Sequence, residues 1–206
     1  MRKRGRLLLV VVALSVLVCL GAASSEEIAR LQRLMGWKAG QTIADVGAGK
    51  GEIGIAAAAV VGESGKVYLT ELDEKKRKEL EQTVQAKGLK GVAVVQGAEK
   101  ETKLPDSCCD EIVLRRVYHH LTAPAEMDAS LLRSLKPGGE IAVIDFAPRK
   151  WLSESEPVKG VPANRGGHGI PQKILIEEMT AAGFTVDQVV NDWPDGYCVL
   201  FRKAAK

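Results

Sequence analysis

The chain has 206 residues, 46% of them hydrophobic and 27% charged, with a formal net charge of +3. That is enough chain for one domain with a sizeable core, and it excludes a disordered or low-complexity polymer. The positive balance sits in Arg2, Lys3, Arg4 and Arg6; without these four the chain holds 25 Lys+Arg against 26 Asp+Glu, a net of −1, so charge offers no case for nucleic acid.

The basic start is followed by an uncharged apolar run from Leu7 to Leu20 and by Gly21-Ala22-Ala23. This reads as a signal peptide or membrane anchor over residues 1–23, with cleavage expected after Ala23 and export of the remainder. Cys19 does not make a lipoprotein signal, because Val18 stands where a small residue is expected. Residues 24–206 read as a single domain. The membrane is then a partner only through an uncleaved N-terminus.

A helix is expected near Glu26–Met35, and then the chain reads Ile43-Ala-Asp-Val-Gly-Ala-Gly-Lys-Gly51. An apolar strand that runs into Gly47, Gly49 and Gly51 and then into a helix lets backbone approach a ligand where side chains would block it. Asp45 just before the glycines speaks against a phosphate ligand and for a cationic or amine-bearing one. Gly49, Gly51 and Gly54 also satisfy the G-x-G-x-x-G of dinucleotide sites, but no P-loop pattern occurs. A nucleoside needs an acid at the end of the next strand, about 20 residues on. Lys66–Thr70 is that strand and Glu71 that acid, with Asp73 the alternative; Asp73 is rather expected to cap a helix starting near Glu74, whose Lys75–Lys78 run reads as a solvated face.

A third strand, Val92–Gln96, ends in Gly97-Ala98-Glu99, and a fourth, Glu111–Leu114, runs into Arg115-Arg116-Val117-Tyr118-His119-His120. Leu135-Lys-Pro-Gly-Gly139 reads as a helix stop and turn before a fifth strand, Ile141–Asp145. The connection from Pro148 to Pro171 is too long for a simple turn and reads as a lid. It carries His168, and Arg149, Lys150, Trp151 and Arg165 would line it for an anionic or planar molecule, unless they are ordinary solvated loop residues. A last helix is expected over Gln172–Ala182, with Ile174, Leu175, Met179 and Ala182 near helical spacing. Strands alternating with helices imply a parallel sheet covered on both faces. Cys108, Cys109 and Cys198 do not make a disulfide framework, and without C-x-x-C or a nearby histidine they support no metal site; none is expected.

The ordered motifs Asp-Val-Gly-Ala-Gly-Lys-Gly (45–51), Glu71, Gly-Ala-Glu (97–99), Leu-Pro-Asp-Ser-Cys-Cys-Asp (104–110), Tyr-His-His-Leu (118–121), Leu-Lys-Pro-Gly-Gly (135–139), Ala-Gly-Phe (182–184) and the closing Tyr197–Phe201 resemble the class I S-adenosylmethionine-dependent methyltransferases. The resemblance covers roughly residues 30 to 203. It implies a Rossmann-like, doubly wound, seven-stranded sheet, mostly parallel, whose last strand near Val199 is antiparallel. It also implies S-adenosyl-L-methionine as cofactor. Gly47, Ala48, Gly49 and Gly51 would lie along its methionine part with Asp45 near the amino group, and Glu71 would take the ribose hydroxyls. Ala98 and Glu99 would flank the adenine, although many relatives have aspartate where this chain has Ala98. Arg115 would approach the methionine end. The expected acceptor is a small molecule, with Tyr118, His119, His120 and His168 as candidate catalytic residues beside it, each of them otherwise a structural residue.

Two other readings stand beside this one. A fold that binds the sulfonium cofactor without turnover would make a sensor or scaffold, a reading motivated by the export signal. A nicotinamide-dependent oxidoreductase would use Gly49, Gly51, Gly54 and Glu71, but Asp45 would then sit close to a pyrophosphate.

Overall fold

The computed structural model describes residues 23–205; the expected leader, apart from Ala23, lies outside them. Helix α1 (Ser25–Met35) opens on Ser24, whose hydroxyl accepts the Glu27 N–H at 3.1 Å, and closes on Gly36 in the left-handed region. Then follow β1 (Thr42–Val46), α2 (Glu52–Val61), β2 (Lys66–Glu71), α3 (Glu74–Ala86), β3 (Val92–Gln96) and β4 (Cys109–Arg115). Asp73 caps α3 as expected, its carboxylate accepting the Lys76 N–H at 2.8 Å.

The second half contains a 3-10 turn at Tyr118–His120, α4 (Pro124–Ser134), β5 (Leu135–Asp145), the short α5 (Lys150–Ser155), α6 (Gln172–Ala181), β6 (Thr185–Trp193) and β7 (Gly196–Arg202). The seven strands form one sheet in the order β3-β2-β1-β4-β5-β7-β6, and β7 alone runs antiparallel to its neighbours. This is the doubly wound, mostly parallel sheet that the alternation and the resemblance implied.

Both faces of the sheet are covered, so successive residues of one strand feed different cores. Ile112 and Leu114 of β4 pack with Leu131 of α4 and Leu175 and Met179 of α6. Val113 between them packs with Leu31 of α1, Ile53 and Ala57 of α2 and Leu80 of α3. A strand buried on both faces loses the polar alternation of a half-exposed one, and for that reason these segments read as continuous apolar runs.

The segment 135–139 departs from its expected form. Leu135 already pairs with Cys109, the register then shifts, and regular pairing resumes at Glu111 with Glu140. Gly138, at φ +76°, lets Lys136–Gly139 bulge at the start of β5 without leaving the sheet. The turn motif is thus absorbed into β5. Among the described residues no helix is long and apolar enough to cross a membrane, and Cys108, Cys109 and Cys198 are free thiols.

Candidate functional site

Strand order reverses between β1 and β4, and the crevice beyond their carboxyl ends is where a doubly wound sheet takes a ligand. The glycine loop enters it from β1. The loop closes tightly: Ala48 N–H donates to Thr70 O at 2.8 Å and Gly51 N–H to Ala48 O at 2.7 Å. Its glycines serve different ends. A Cβ on Gly54 would come 2.0 Å from Leu69 Cδ2, so that glycine sets the distance between α2 and the sheet. A Cβ on Gly49, at φ +55°, would meet nothing within 4 Å; this stretch of backbone faces open space.

Glu71 closes the other side of that space. Its Oε2 accepts the Gly49 N–H at 3.1 Å and its Oε1 accepts the Asp73 N–H at 3.0 Å, so the carboxylate ties the glycine loop to the turn after β2. Each oxygen keeps a second lone pair, and the residue is 8% exposed. An acceptor pair beside an open backbone loop fits a ribose diol.

Asp45 is more deeply set, at 3% exposure. Its Oδ2 accepts the Gly54 N–H at 3.0 Å, joining β1 to the first turn of α2. Burial pushes its pKa up to about 7, against the opposing pull of the Gly54 N–H. One of its oxygens is therefore structural, and any contact with a ligand amine falls to the other.

At the exit of β3, Ala98 is half-buried and its N–H is already given to Glu101 O at 3.0 Å, whereas Glu99 is exposed. Of this pair, an adenine contact is open to the Ala98 methyl and the Glu99 side chain, not to the Ala98 N–H. Arg115 is held by an acid that the sequence did not flag. Its Nε and Nη2 lie 2.8 and 2.9 Å from the two carboxylate oxygens of buried Glu27 on α1, and Glu27 Oε1 also accepts Trp193 Nε1–H at 3.0 Å. The Ser24-x-x-Glu27 spacing signals a capping box; the side chain instead crosses to β4. Through these contacts Arg115 ties α1, β4 and β6 together.

The residues after β4 separate sharply. Tyr118 is buried in the core and its hydroxyl donates to Asp128 Oδ2 at 2.8 Å, with Arg165 stacked on its ring 5.0 Å away. Burial first, and then the Asp128 charge, push its pKa far above the ordinary phenol. Tyr118 is a core residue and not a catalytic one. Arg165 is corrected likewise. It is fully buried, donating to Tyr118 O and to Glu178 at 2.6 Å each, and it pins the long connection to α6 rather than lining a cleft.

His119 is 1% exposed and is oriented by Asp145, the last residue of β5. The carboxylate accepts the His119 N–H at 3.1 Å, the Phe146 N–H at 2.9 Å and the His119 Nδ1–H at 2.8 Å. Asp145 was missed, although a signal existed: like Glu71, it is an acid ending an apolar strand.

The connection after β5 brings His168 over this corner, its ring 4.8 Å from His119, 5.5 Å from His120 and 5.7 Å from Phe146. His120 keeps an exposed face, yet loss of solvent around the ring, and then the neighbouring His119 and His168, lower its pKa to about 4. Arg149 stacks on Phe146 at 5.0 Å, whereas Lys150 is exposed and Trp151 is 62% exposed on α5. Of the expected lining of the connection, Arg149 and His168 join the corner; Trp151 and Lys150 point to solvent.

Comparison with known proteins agrees with this fold. The profile of a family described as "Methyltransferase domain" matches residues 38–183. The ubiquinone/menaquinone biosynthesis C-methyltransferase UbiE of Azotobacter vinelandii is 30% identical over 115 residues, 55% of this chain and 46% of that protein. The chain thus spans about half the length of the curated relatives it matches. Among solved structures, a SAM-dependent methyltransferase from Aquifex aeolicus superposes with a TM-score of 0.68 at 26% identity, covering 85% of this chain and 87% of that one. The [4+2]-cyclase SpnF shares the fold at a TM-score of 0.71 but only 17% identity, covering 88% of this chain and 82% of that one.

Proposed function

The chain belongs to the methyltransferase-domain family, and from that premise we propose that it transfers a methyl group from S-adenosylmethionine to a small-molecule acceptor. The observation that carries this reading is the open face of Gly49 beside the Glu71 carboxylate, at the strand reversal. When bound, the cofactor supplies an electrophilic methyl on a sulfonium. The chain's own contribution is to bind and align. Glu71 would accept the ribose hydroxyls and the glycine loop would run along the methionine part. Asp45, through the oxygen not committed to Gly54, would meet the amino group. Displacement in line needs little more than the two reactants held at the right distance with water kept out.

The acceptor side would be the corner built by His119, His120, Phe146, Arg149 and His168. An aromatic ring with a stacked guanidinium suits a planar acceptor bearing an oxygen. The curated relatives are named for methylating carbon in quinone biosynthesis, so phenols and quinols head the panel to be tried. We further propose, from the basic and apolar start of the sequence, that the domain works outside the cytoplasm.

The test is transfer of a labelled methyl from S-adenosylmethionine to members of that panel. Labelled product from a phenol or quinol supports the reading. Cofactor binding without turnover on any acceptor would instead favour a sensor, a reading that SpnF keeps open because it has the same fold and a name denoting other chemistry.

A further inference from the structure

The chain contains only three histidines, and all three meet. His119 and His120 follow β4; His168 returns from the connection after β5. One nitrogen from each lies within 4.8 Å of the others. We propose that His119, His120 and His168 form a binding site for a divalent first-row transition cation of the Zn2+ kind.

The hydrogen bonds around the cluster prepare it for this. Asp145 Oδ1 accepts the His119 Nδ1–H at 2.8 Å, so in the neutral ring it is Nε2 that carries the free lone pair. That Nε2 is buried and has no hydrogen-bond partner among the described residues. His168 Nδ1 lies 3.0 Å from the Glu156 carbonyl oxygen, which can only accept, so its Nε2 also carries a lone pair. A carboxylate behind one imidazole and a backbone carbonyl behind another are the outer partners that fix tautomer and ring direction at protein metal sites. A buried imidazole nitrogen with no protein partner among the described residues is a donor atom that a cation at this corner would satisfy.

The distances need only a small adjustment. Tetrahedral coordination at about 2.0–2.1 Å places ligand nitrogens about 3.3 Å apart. His120 is exposed and can turn inward. Although His119 and His120 are neighbours in a 3-10 turn, their side chains bring the ring centroids to 4.0 Å of each other. Three imidazoles fill three positions and leave a fourth for water or a ligand, as in zinc sites that act on a bound molecule. Nitrogen donors with no thiolate or carboxylate among them favour Zn2+, Co2+, Ni2+ or Cu2+ over Mg2+ and Ca2+. Cys108 and Cys109 at the start of β4 are not in the cluster.

The test uses purified protein carrying no polyhistidine tag, stripped with a chelator and titrated with Zn2+ in a calorimeter, with Co2+ absorption as a spectroscopic readout. The expected result is one Zn2+ per chain and visible Co2+ bands of a low-coordinate nitrogen site. His120→Gln and His168→Gln should each weaken Zn2+ binding by more than about 100-fold, and Asp145→Asn, acting through His119, by about 10–100-fold. Thermal melts of each variant show that the fold persists; His120→Gln, at an exposed position, keeps the test decisive should a buried substitution unfold the chain. No Zn2+ binding by the stripped wild type overturns the proposal, and so does Zn2+ binding that neither histidine variant changes. S-adenosylhomocysteine affinity, measured on the same stripped sample, reports on the methyl-transfer reading separately, because the metal site stands on its donors alone.

Discussion

Replacing Glu71 with alanine tests the cofactor side of the site most sharply. The substitution removes a carboxylate that accepts the Gly49 N–H at 3.1 Å and the Asp73 N–H at 3.0 Å, and the same oxygens are assigned the ribose hydroxyls. Hydrogen bonds to a charged group contribute roughly 1.5–3 kcal/mol each, and part of that is recovered when water takes the vacated place. The expected loss in cofactor binding is therefore about 1–3 kcal/mol, or about 5- to 140-fold in Kd. Glu71→Gln keeps one acceptor but turns an NH2 group toward a backbone N–H, so it should fall between wild type and alanine. The comparison is Asp73→Ala, which removes the α3 cap: a cost of about 1 kcal/mol in stability with little change in affinity. Calorimetric titration with S-adenosylhomocysteine, beside urea melts of all three variants, gives both numbers. If Asp73→Ala weakens binding more than Glu71→Ala does, the ribose acid has been misassigned.

Gly49→Val should abolish cofactor binding and leave the fold intact, with a stability loss of about 1–2 kcal/mol for a β-branched residue in the left-handed region; unchanged affinity on titration would remove the loop from the site. Glu27→Ala should lower stability by about 3–5 kcal/mol, because it removes the buried carboxylate that pairs with Arg115 and accepts the Trp193 indole N–H; a urea midpoint measures the loss. Burial pushes Asp128 up to about 7 from the usual 3.8. Because the folded pKa lies above the unfolded one, this group stabilises fully below about pH 4 and its contribution fades as pH rises through 7. Asp128→Asn, which keeps an acceptor for the Tyr118 hydroxyl, should therefore flatten the fall in melting temperature between pH 4 and 8; an unchanged slope would mean that other buried acids carry it.

Local chemistry made most of the fold legible. The apolar strand into Gly47–Gly51, the Asp73 cap and the fully buried runs of β4 and β5 each announce themselves within a few residues. The expected turn at Leu135–Gly139 went astray because a bulge at the start of a strand uses the same Pro-Gly-Gly chemistry as a turn.

The meeting of Glu71 with the glycine loop was readable because spacing along one βαβ unit decides it. Tyr118 and Arg165 were not. Neighbours in a 3-10 turn point in different directions, and only packing tells that Tyr118 faces Asp128 while His119 faces Asp145. The Glu27–Arg115 pair spans 88 residues, and the approach of His168 to His119 depends on how the long connection crosses the sheet end. Such meetings are set by tertiary structure, and no local pattern encodes them.

The central claim, that the crevice between Gly49 and Glu71 holds S-adenosylmethionine, is tested most directly by calorimetric titration of the purified protein with S-adenosylmethionine and S-adenosylhomocysteine. The account predicts one site per chain with micromolar affinity for both. Absence of heat for either ligand, in protein whose melting curve shows it folded, would contradict it: the sheet would then keep the shape of its family without the cofactor.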